Sequence, residues 1–220
     1  MFSKINTLFA SLMNERSLKK KETSAIMARN VDENKLISIE NAAKELVIAN
    51  GYGGASISAI AKKAGVAVGY LYRFYNSKQE FVEKLLFSRF EVLINNIHDS
   101  YKNESSIKDC ILYILNSIIE IAETKPIDIQ FLYVLINSYN FKASKEQVDK
   151  IFQLTNKLIE KGKKDNEIKP KIRTEEFFNI LVTYPIVFFN QRFKGNLGKT
   201  GWDKSDLERL KEFCQETLLK

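Results

Sequence analysis

The sequence predicts an all-α protein, and three observations support this fold class. Apolar residues recur three or four positions apart from residue 34 to the end of the chain, as they do on one face of a helix. Proline and glycine are scarce, with 3 and 9 among 220 residues, which suits helices joined by short loops. No segment of useful length alternates apolar and polar residues as a half-buried strand does.

The stretch from Ser56 to Lys78 predicts two short helices joined by a tight turn. Ser56 occupies the N-cap position of the first helix, and Gly65 supplies the left-handed conformation that ends it. The second helix begins near residue 67 and ends near residue 75. A serine at 77 followed by a glutamate at 80 forms a capping box for the next helix. Two short helices around a glycine turn constitute a helix-turn-helix.

Two longer helices complete this part of the chain. A helix over 34–50 has one apolar face, and it is expected to close a three-helix core over the two short helices. A further helix starts at the Ser77 cap and extends towards Tyr101. Because its apolar stripe is continuous, this helix is expected to belong to both halves of the protein. A signal between the halves would most simply pass along it.

The remaining sequence predicts a series of helices with short breaks. Their approximate ranges are 105–124, 126–140, 144–162, 174–192 and 204–219. Pro185 lies inside the fourth and is expected to kink it. The chain therefore divides into an N-terminal extension, 1–33, a helix-turn-helix domain, 34–80, and a larger helical domain, 81–220.

Charge and residue chemistry narrow the class of function. A net charge of +7 and a pI of about 9.2 favour an anionic partner such as nucleic acid or a membrane surface. The single histidine, the absence of a metal-ligand spacing and the lack of any nucleophile or phosphate-loop motif argue against an enzyme. We therefore expect no cofactor and no metal. Cys110 and Cys214 form no CxxC pattern, and are expected to be reduced core residues of a cytoplasmic protein.

The extension 1–33 allows three interpretations. Its apolar residues up to Met13 would share one face of a helix, and Lys19 to Lys21 add a basic run. In the first interpretation it is a poorly packed extension that is not always translated, since Met27 is a second plausible start. It is alternatively a basic arm that contacts DNA, or a surface helix that binds a membrane or a partner.

The segment 36–86 resembles the DNA-binding domain of the tetracycline-repressor (TetR) family of transcriptional regulators. The matching residues lie in one ungapped window: Gly51, Tyr52, Ser56, Ile57, Ile60, Ala61, Ala64, Gly65, Val66, Gly69, Leu71, Tyr72, Ser77 and Lys78. The resemblance implies a homodimer that binds a palindromic double-stranded operator. It further implies a C-terminal domain that binds a small effector, and most members act as repressors.

The second short helix is the expected reader of DNA sequence. Its early residues would reach base edges in the major groove, and these are Val68, Gly69, Tyr70 and Arg73. Arg73 could donate two hydrogen bonds to a guanine. The resemblance implies that Ser56, Tyr72 and Lys78 contact phosphates. Ala55 stands where the family commonly has threonine, which predicts the loss of one phosphate contact.

For the C-terminal domain, the resemblance implies an effector pocket and a two-fold interface. The candidate pocket residues are Phe131, Tyr139, Phe178 and Tyr184, with the two tyrosines favoured because a buried hydroxyl needs a partner. The candidate dimer residues are Phe188, Phe189, Phe213 and Leu218 on the last two long helices.

Two other functions stay open from the sequence. The first is a helical interaction protein that keeps the domain but has lost operator binding. The second is a membrane-associated module that uses residues 1–21. Binding to DNA fragments would distinguish the regulator from the first, and binding to liposomes would distinguish it from the second.

Overall fold

A computed structural model describes residues 33–88, 106–195 and 198–220, and these ranges are helical throughout with no strand of more than one residue. The helices are α1 (33–54), α2 (Ile57–Ala64), α3 (Val68–Tyr72), α4 (78–88 in the described part), α5 (Ile107–Thr124), α6 (Pro126–Ile136), α7 (Lys145–Lys164), α8 (Thr174–Phe178), α9 (Tyr184–Lys194) and α10 (Lys204–Leu218). The all-α prediction is confirmed. The extension up to residue 32, and the continuation of α4 towards Tyr101, lie outside the described residues.

Local signals formed the helix-turn-helix as predicted. The Ser56 hydroxyl accepts a hydrogen bond from the Ala59 amide at 3.1 Å. Gly65 ends α2 with φ of +69°, a conformation that glycine adopts without steric cost. The predicted capping box before α4 differs in one bond. The carboxylate of Glu80 accepts from the Asn76 amide at 2.8 Å, one residue further back than expected.

Helix α1 ends at residue 54 and not at 50, and two later features of the helices also differ from the predicted ones. The helix expected to reach residue 140 ends at Ile136, because the side-chain amide of Asn137 donates to the Tyr133 carbonyl at 2.8 Å and competes with the helical backbone. The expected kink at Pro185 is a π-helical turn, Asn179–Thr183, that directly precedes α9. Proline has no amide hydrogen and cannot donate the regular helical hydrogen bond. The helix is therefore wider over the single π-helical turn that precedes Pro185.

The described residues pack into two apolar cores. The N-terminal core is built on α1, α2, α3 and α4, and the C-terminal core is built on α5 to α10. Both cysteines are buried in the C-terminal core as predicted. Burial raises the pKa of the Cys214 thiol to about 12, so the thiol is neutral and poorly nucleophilic at ordinary pH.

Helix α6 and the loop after it connect the two cores. Phe131 and Leu135 of α6, and Phe141 of the loop, are buried in the N-terminal core, while Ile129 is buried in the C-terminal core. The ring of Phe141 meets that of Tyr52 edge-on, with centroids 5.0 Å apart. The link between the halves therefore does not depend on α4 alone.

Polar contacts reinforce the same junction. Lys44 of α1 and Asp128 of α6 form an ion pair at 2.5 Å, and the two residues are only 7% and 6% exposed. The side-chain amide of Gln79 on α4 donates to the Lys142 carbonyl at 2.6 Å. The Ser144 amide donates to the Glu83 carboxylate at 2.7 Å. The helix-turn-helix is thus fixed to the C-terminal domain at several points.

Among the described helices, none combines the length and the apolar character needed to cross a membrane.

Candidate nucleic-acid interface

Helix α3 is held by its inner face and presents its outer face to solvent. Leu71 is 1% exposed and anchors the helix in the N-terminal core. Since successive residues are about 100° apart around a helix, Gly69 and Arg73 point away from that anchor. Both are exposed, as are Val68 and Tyr72 on one flank. Four of the residues expected at the DNA surface therefore lie together on one accessible face.

Tyr70 lies on the other flank of α3 and is half-buried against the N-terminal core. Its ring packs beside that of Phe74, with the centroids 5.2 Å apart. Tyr70 is thus partly a packing residue. Phe74, which is not among the expected contact residues, is 39% exposed beside it.

Of the three residues expected at phosphates, Tyr72 is the most accessible, at 56% exposed. Ser56 is exposed, but its hydroxyl accepts the α2 cap hydrogen bond. Lys78 is half-buried; its ammonium donates to the Tyr52 carbonyl at 2.9 Å and lies 4.2 Å above the Tyr52 ring. The charge of Lys78 therefore also holds the last turn of α1 against the start of α4, and its remaining N–H donors stay available.

Ala55, where the sequence predicts the loss of one phosphate contact, is a buried residue. Its side chain is 0% exposed and faces the N-terminal core. A hydroxyl at that position would need a partner inside the protein. The alanine is therefore better explained by packing than by a lost phosphate contact.

Lysines lie on both helices next to α3 in the N-terminal core, α1 and α2. Lys62 and Lys63 end α2 in exposed positions, and Lys63 pairs with Glu45 at 2.7 Å. Lys35, in the first turn of α1, lies 5.4 Å from the centre of the Tyr70 ring. Within the described ranges, no three His, Cys, Asp or Glu side chains group as a metal site. Cations near α3 suit an anionic polymer.

The four residues expected around an effector do not come together. Phe131 is 2% exposed in the N-terminal core, and Phe178 is half-buried against the C-terminal core. Tyr139 is 98% exposed, so the expectation of a buried hydroxyl there is wrong. Tyr184 is 38% exposed, and its ring lies 4.7 Å from that of Phe213. The loop position of Tyr139, just beyond the early end of α6, explains its exposure.

The residues expected at a dimer interface divide into two pairs. Phe189 and Leu218 are 0% exposed and belong to the C-terminal core of the same chain. A partner subunit could reach them only if that core unfolded. Phe213 is 47% exposed, and Phe188 is half-buried. Both line a groove of about 500 Å³ between α9 and α10, together with Tyr184, Arg192, Arg209 and Leu210. Helical spacing alone did not distinguish the two buried residues from the two that line the groove.

The fold and the presented helix define the class: a helix-turn-helix DNA-binding protein with a large helical C-terminal domain. Residues 39–85 match the model of the bacterial regulatory proteins of the tetR family. The N-terminal domain of this chain is therefore similar to the domain that defines that family.

Relatives agree with this assignment. The fatty acid metabolism regulator protein of Bacillus subtilis (strain 168) is 28% identical over 82 residues, which cover 37% of this chain and 42% of that protein. The match therefore spans less than half the length of this relative.

Solved structures share the fold over most of the chain. A TetR family transcription regulator from Marinobacter aquaeolei VT8 has a TM-score of 0.69 at 16% identity, covering 87% of this chain and 99% of that one. FadR from Bacillus subtilis in complex with stearoyl-CoA has a TM-score of 0.64 at 16% identity, covering 83% and 98%. FadR from Bacillus halodurans, a fatty acid degradation regulator, also has a TM-score of 0.64, at 18% identity, covering 82% and 97%.

Proposed function

We propose that this protein is a DNA-binding transcriptional regulator that represses its target by binding a palindromic operator as a homodimer in the cytoplasm. The observation that carries the proposal is the exposed outer face of α3, with Gly69, Tyr72 and Arg73 held outward by the buried Leu71. A short helix anchored on one side and accessible on the other can enter the major groove.

Arg73 is the principal candidate for reading a base. It is exposed at the end of α3 and forms no ion pair with any residue in the described ranges. A guanidinium can donate two parallel hydrogen bonds to the O6 and N7 atoms of guanine. Val68, Gly69 and Tyr70 are the proposed apolar and backbone contacts beside it. Ser56, Tyr72 and Lys78 are the proposed phosphate contacts that fix the register.

The groove between α9 and α10 is the proposed two-fold interface. It presents exposed aromatic surface from Tyr184 and Phe213, flanked by the guanidiniums of Arg192 and Arg209. Arg192 already pairs with Asp206 at 3.0 Å, so part of the rim charge is balanced within the chain. A palindromic operator requires two equivalent heads, which a two-fold dimer supplies.

A small effector is proposed to control the DNA affinity, and a long-chain acyl-CoA is the first compound to test. The FadR structure from Bacillus subtilis contains stearoyl-CoA and shares this fold. Phe178 and Tyr184 are the remaining side-chain candidates for the effector pocket, with Phe131 on α6 between the two cores. An effector that binds one position of α6 better than another would shift the population between two spacings of the DNA-binding domains in the dimer.

The proposed route of the signal includes α6 as well as α4. The Lys44–Asp128 ion pair and the Phe141–Tyr52 ring contact join α6 and its loop directly to α1. A movement of α6 by an effector would therefore pull on the helix that supports α3. This route adds to the continuous α4 that the sequence predicts.

The function is tested by selecting a duplex from a randomised DNA library with the purified protein and measuring its affinity by fluorescence anisotropy. Arg73→Ala should cost about 1–3 kcal/mol of binding free energy and relax specificity at one base pair. Lys157→Ala is the matched control, because Lys157 is an exposed cation on α7, away from α3. Stearoyl-CoA should release the wild-type protein from the selected duplex.

The alternatives predict other outcomes. Failure to enrich any duplex at low salt would favour the interaction protein. Flotation of the full chain with anionic liposomes, together with absence of DNA binding, would favour the membrane-associated module. Enrichment of a palindrome by the wild-type protein, with specificity relaxed at one base pair of each half-site in Arg73→Ala, supports the regulator.

A further inference from the structure

We infer that the DNA interface includes two residues outside the helices α2 and α3, Phe74 and Lys35. Phe74 is a positioning residue for the Arg73 guanidinium, and Lys35 of α1 is an additional phosphate contact. The inference rests on the proposed DNA-binding function. It comes from a cluster of two rings and two cations that neither the family match nor the motif accounts for.

The first part of the cluster is an aromatic pair with an arginine beside both of its rings. Tyr70 and Phe74 are four residues apart, and their ring centroids are 5.2 Å apart. The guanidinium carbon of Arg73 lies 5.4 Å from the Tyr70 centroid and 5.5 Å from the Phe74 centroid. Both distances are within the range of a cation–π contact. Arg73 is therefore held by two ring faces.

This contact matters because it restricts the guanidinium while no ion pair with a described residue occupies its N–H donors. The N–H donors of arginine lie in the plane of the group. Stacking on a ring restricts the side chain without consuming those donors. An arginine that is already restricted loses less conformational entropy when it docks against a guanine. Phe74 touches no base in this arrangement, and it acts through Arg73.

The second part of the cluster is Lys35. Its ammonium lies 5.4 Å from the same Tyr70 ring that Arg73 approaches. Lys35 is exposed, and no carboxylate of the described residues pairs with it. Two cations that share one ring repel each other, and a nearby phosphate would relieve that repulsion. The start of α1 is thereby placed beside α3 as a second point of contact with the DNA backbone.

The two residues predict different defects on the duplex selected by the wild-type protein. Phe74→Leu keeps an apolar side chain but removes the ring face, and should weaken binding about two- to fivefold. The loss should disappear when Arg73 is already alanine, because Phe74 acts only through Arg73. Phe74→Tyr keeps a ring and should bind like the wild type. Phe152→Leu, on an exposed phenylalanine of α7, is the matched control.

Lys35→Gln should instead weaken binding to every sequence. The magnitude of the slope of log affinity against log salt concentration should fall by about 0.9 for each subunit of the dimer, the value for one phosphate contact on duplex DNA. Lys157→Gln carries the same charge change on α7 and should leave the slope unchanged. Thermal unfolding of each variant separates a loss of folding from a loss of contact.

Each outcome decides the inference. If Phe74→Leu binds like the wild type, or is equally defective with and without Arg73, Phe74 does not position the arginine. If the salt slope of Lys35→Gln equals that of Lys157→Gln, Lys35 makes no phosphate contact. Failure of the wild-type protein to select any duplex would instead overturn the proposed function itself.

Discussion

Gly69 shows how one residue can serve binding rather than folding. It lies in α3 without a positive φ, and a Cβ built there would meet nothing within 4 Å. Nothing in the fold therefore requires glycine at this position. Glycine in a helix costs about 0.5–1 kcal/mol relative to alanine, so the protein carries a local instability on the face that is proposed to meet DNA.

We expect Gly69→Ala to raise the free energy of unfolding by about 0.5–1 kcal/mol and to weaken DNA binding. The added methyl group fits the free protein but would separate the α3 backbone from the floor of the groove. Thermal unfolding and anisotropy with the selected duplex measure the two effects.

Gly162→Ala is the control for that prediction. Its Cβ would lie 2.6 Å from Ile168 Cδ1, a buried core atom, so the variant should be destabilised with no specific effect on DNA contacts. Unchanged DNA affinity in Gly69→Ala would mean that the backbone does not approach the bases there.

At the scale of elements, α6 has the least expected role. Its sequence predicts an ordinary apolar helix opened by Pro126. In the structure its residues enter both cores, and Asp128 in its first turn pairs with Lys44 of α1. A buried ion pair is weak support for stability by itself, but breaking it leaves an unpaired charge in the interior.

Asp128→Leu alone should therefore destabilise the protein by about 3–5 kcal/mol, because Lys44 would remain buried and charged. The double variant Lys44→Met with Asp128→Leu should recover most of that loss. Urea unfolding measures both. The exposed pair Lys63–Glu45 is the comparison, and its removal should cost less than about 1 kcal/mol. Equal losses in the single and double variants would show that the ion pair does not link these helices.

At the scale of the whole molecule, the groove between α9 and α10 is the proposed site of assembly. Phe213→Glu places a charge in the proposed interface, and we expect the protein to sediment as a monomer with weakened operator binding. Phe152→Glu, on an equally exposed phenylalanine of α7, should remain a dimer. Analytical ultracentrifugation of the two variants and the wild type measures the difference. A dimeric Phe213→Glu protein would exclude Phe213 from the interface.

The sequence by itself determined the helix-turn-helix, because its signals act within a few residues. The Ser56 cap, the Gly65 turn and the buried Leu71 are local features, and each is found where the pattern predicts it. The all-α class follows from the same short-range periodicity. The early end of α6, at Ile136 and not at residue 140, shows the limit of these local signals.

Only the tertiary structure decided which side chains are free to act. Lys78 contacts the carbonyl of Tyr52, 26 residues away. Lys44 of α1 forms an ion pair with Asp128 of α6. Phe189 is buried although its neighbour Phe188 lines the groove. An apolar face has the same sequence pattern whether it packs on its own core, a ligand or a partner. The distinction depends on contacts between distant segments, which local spacing does not record.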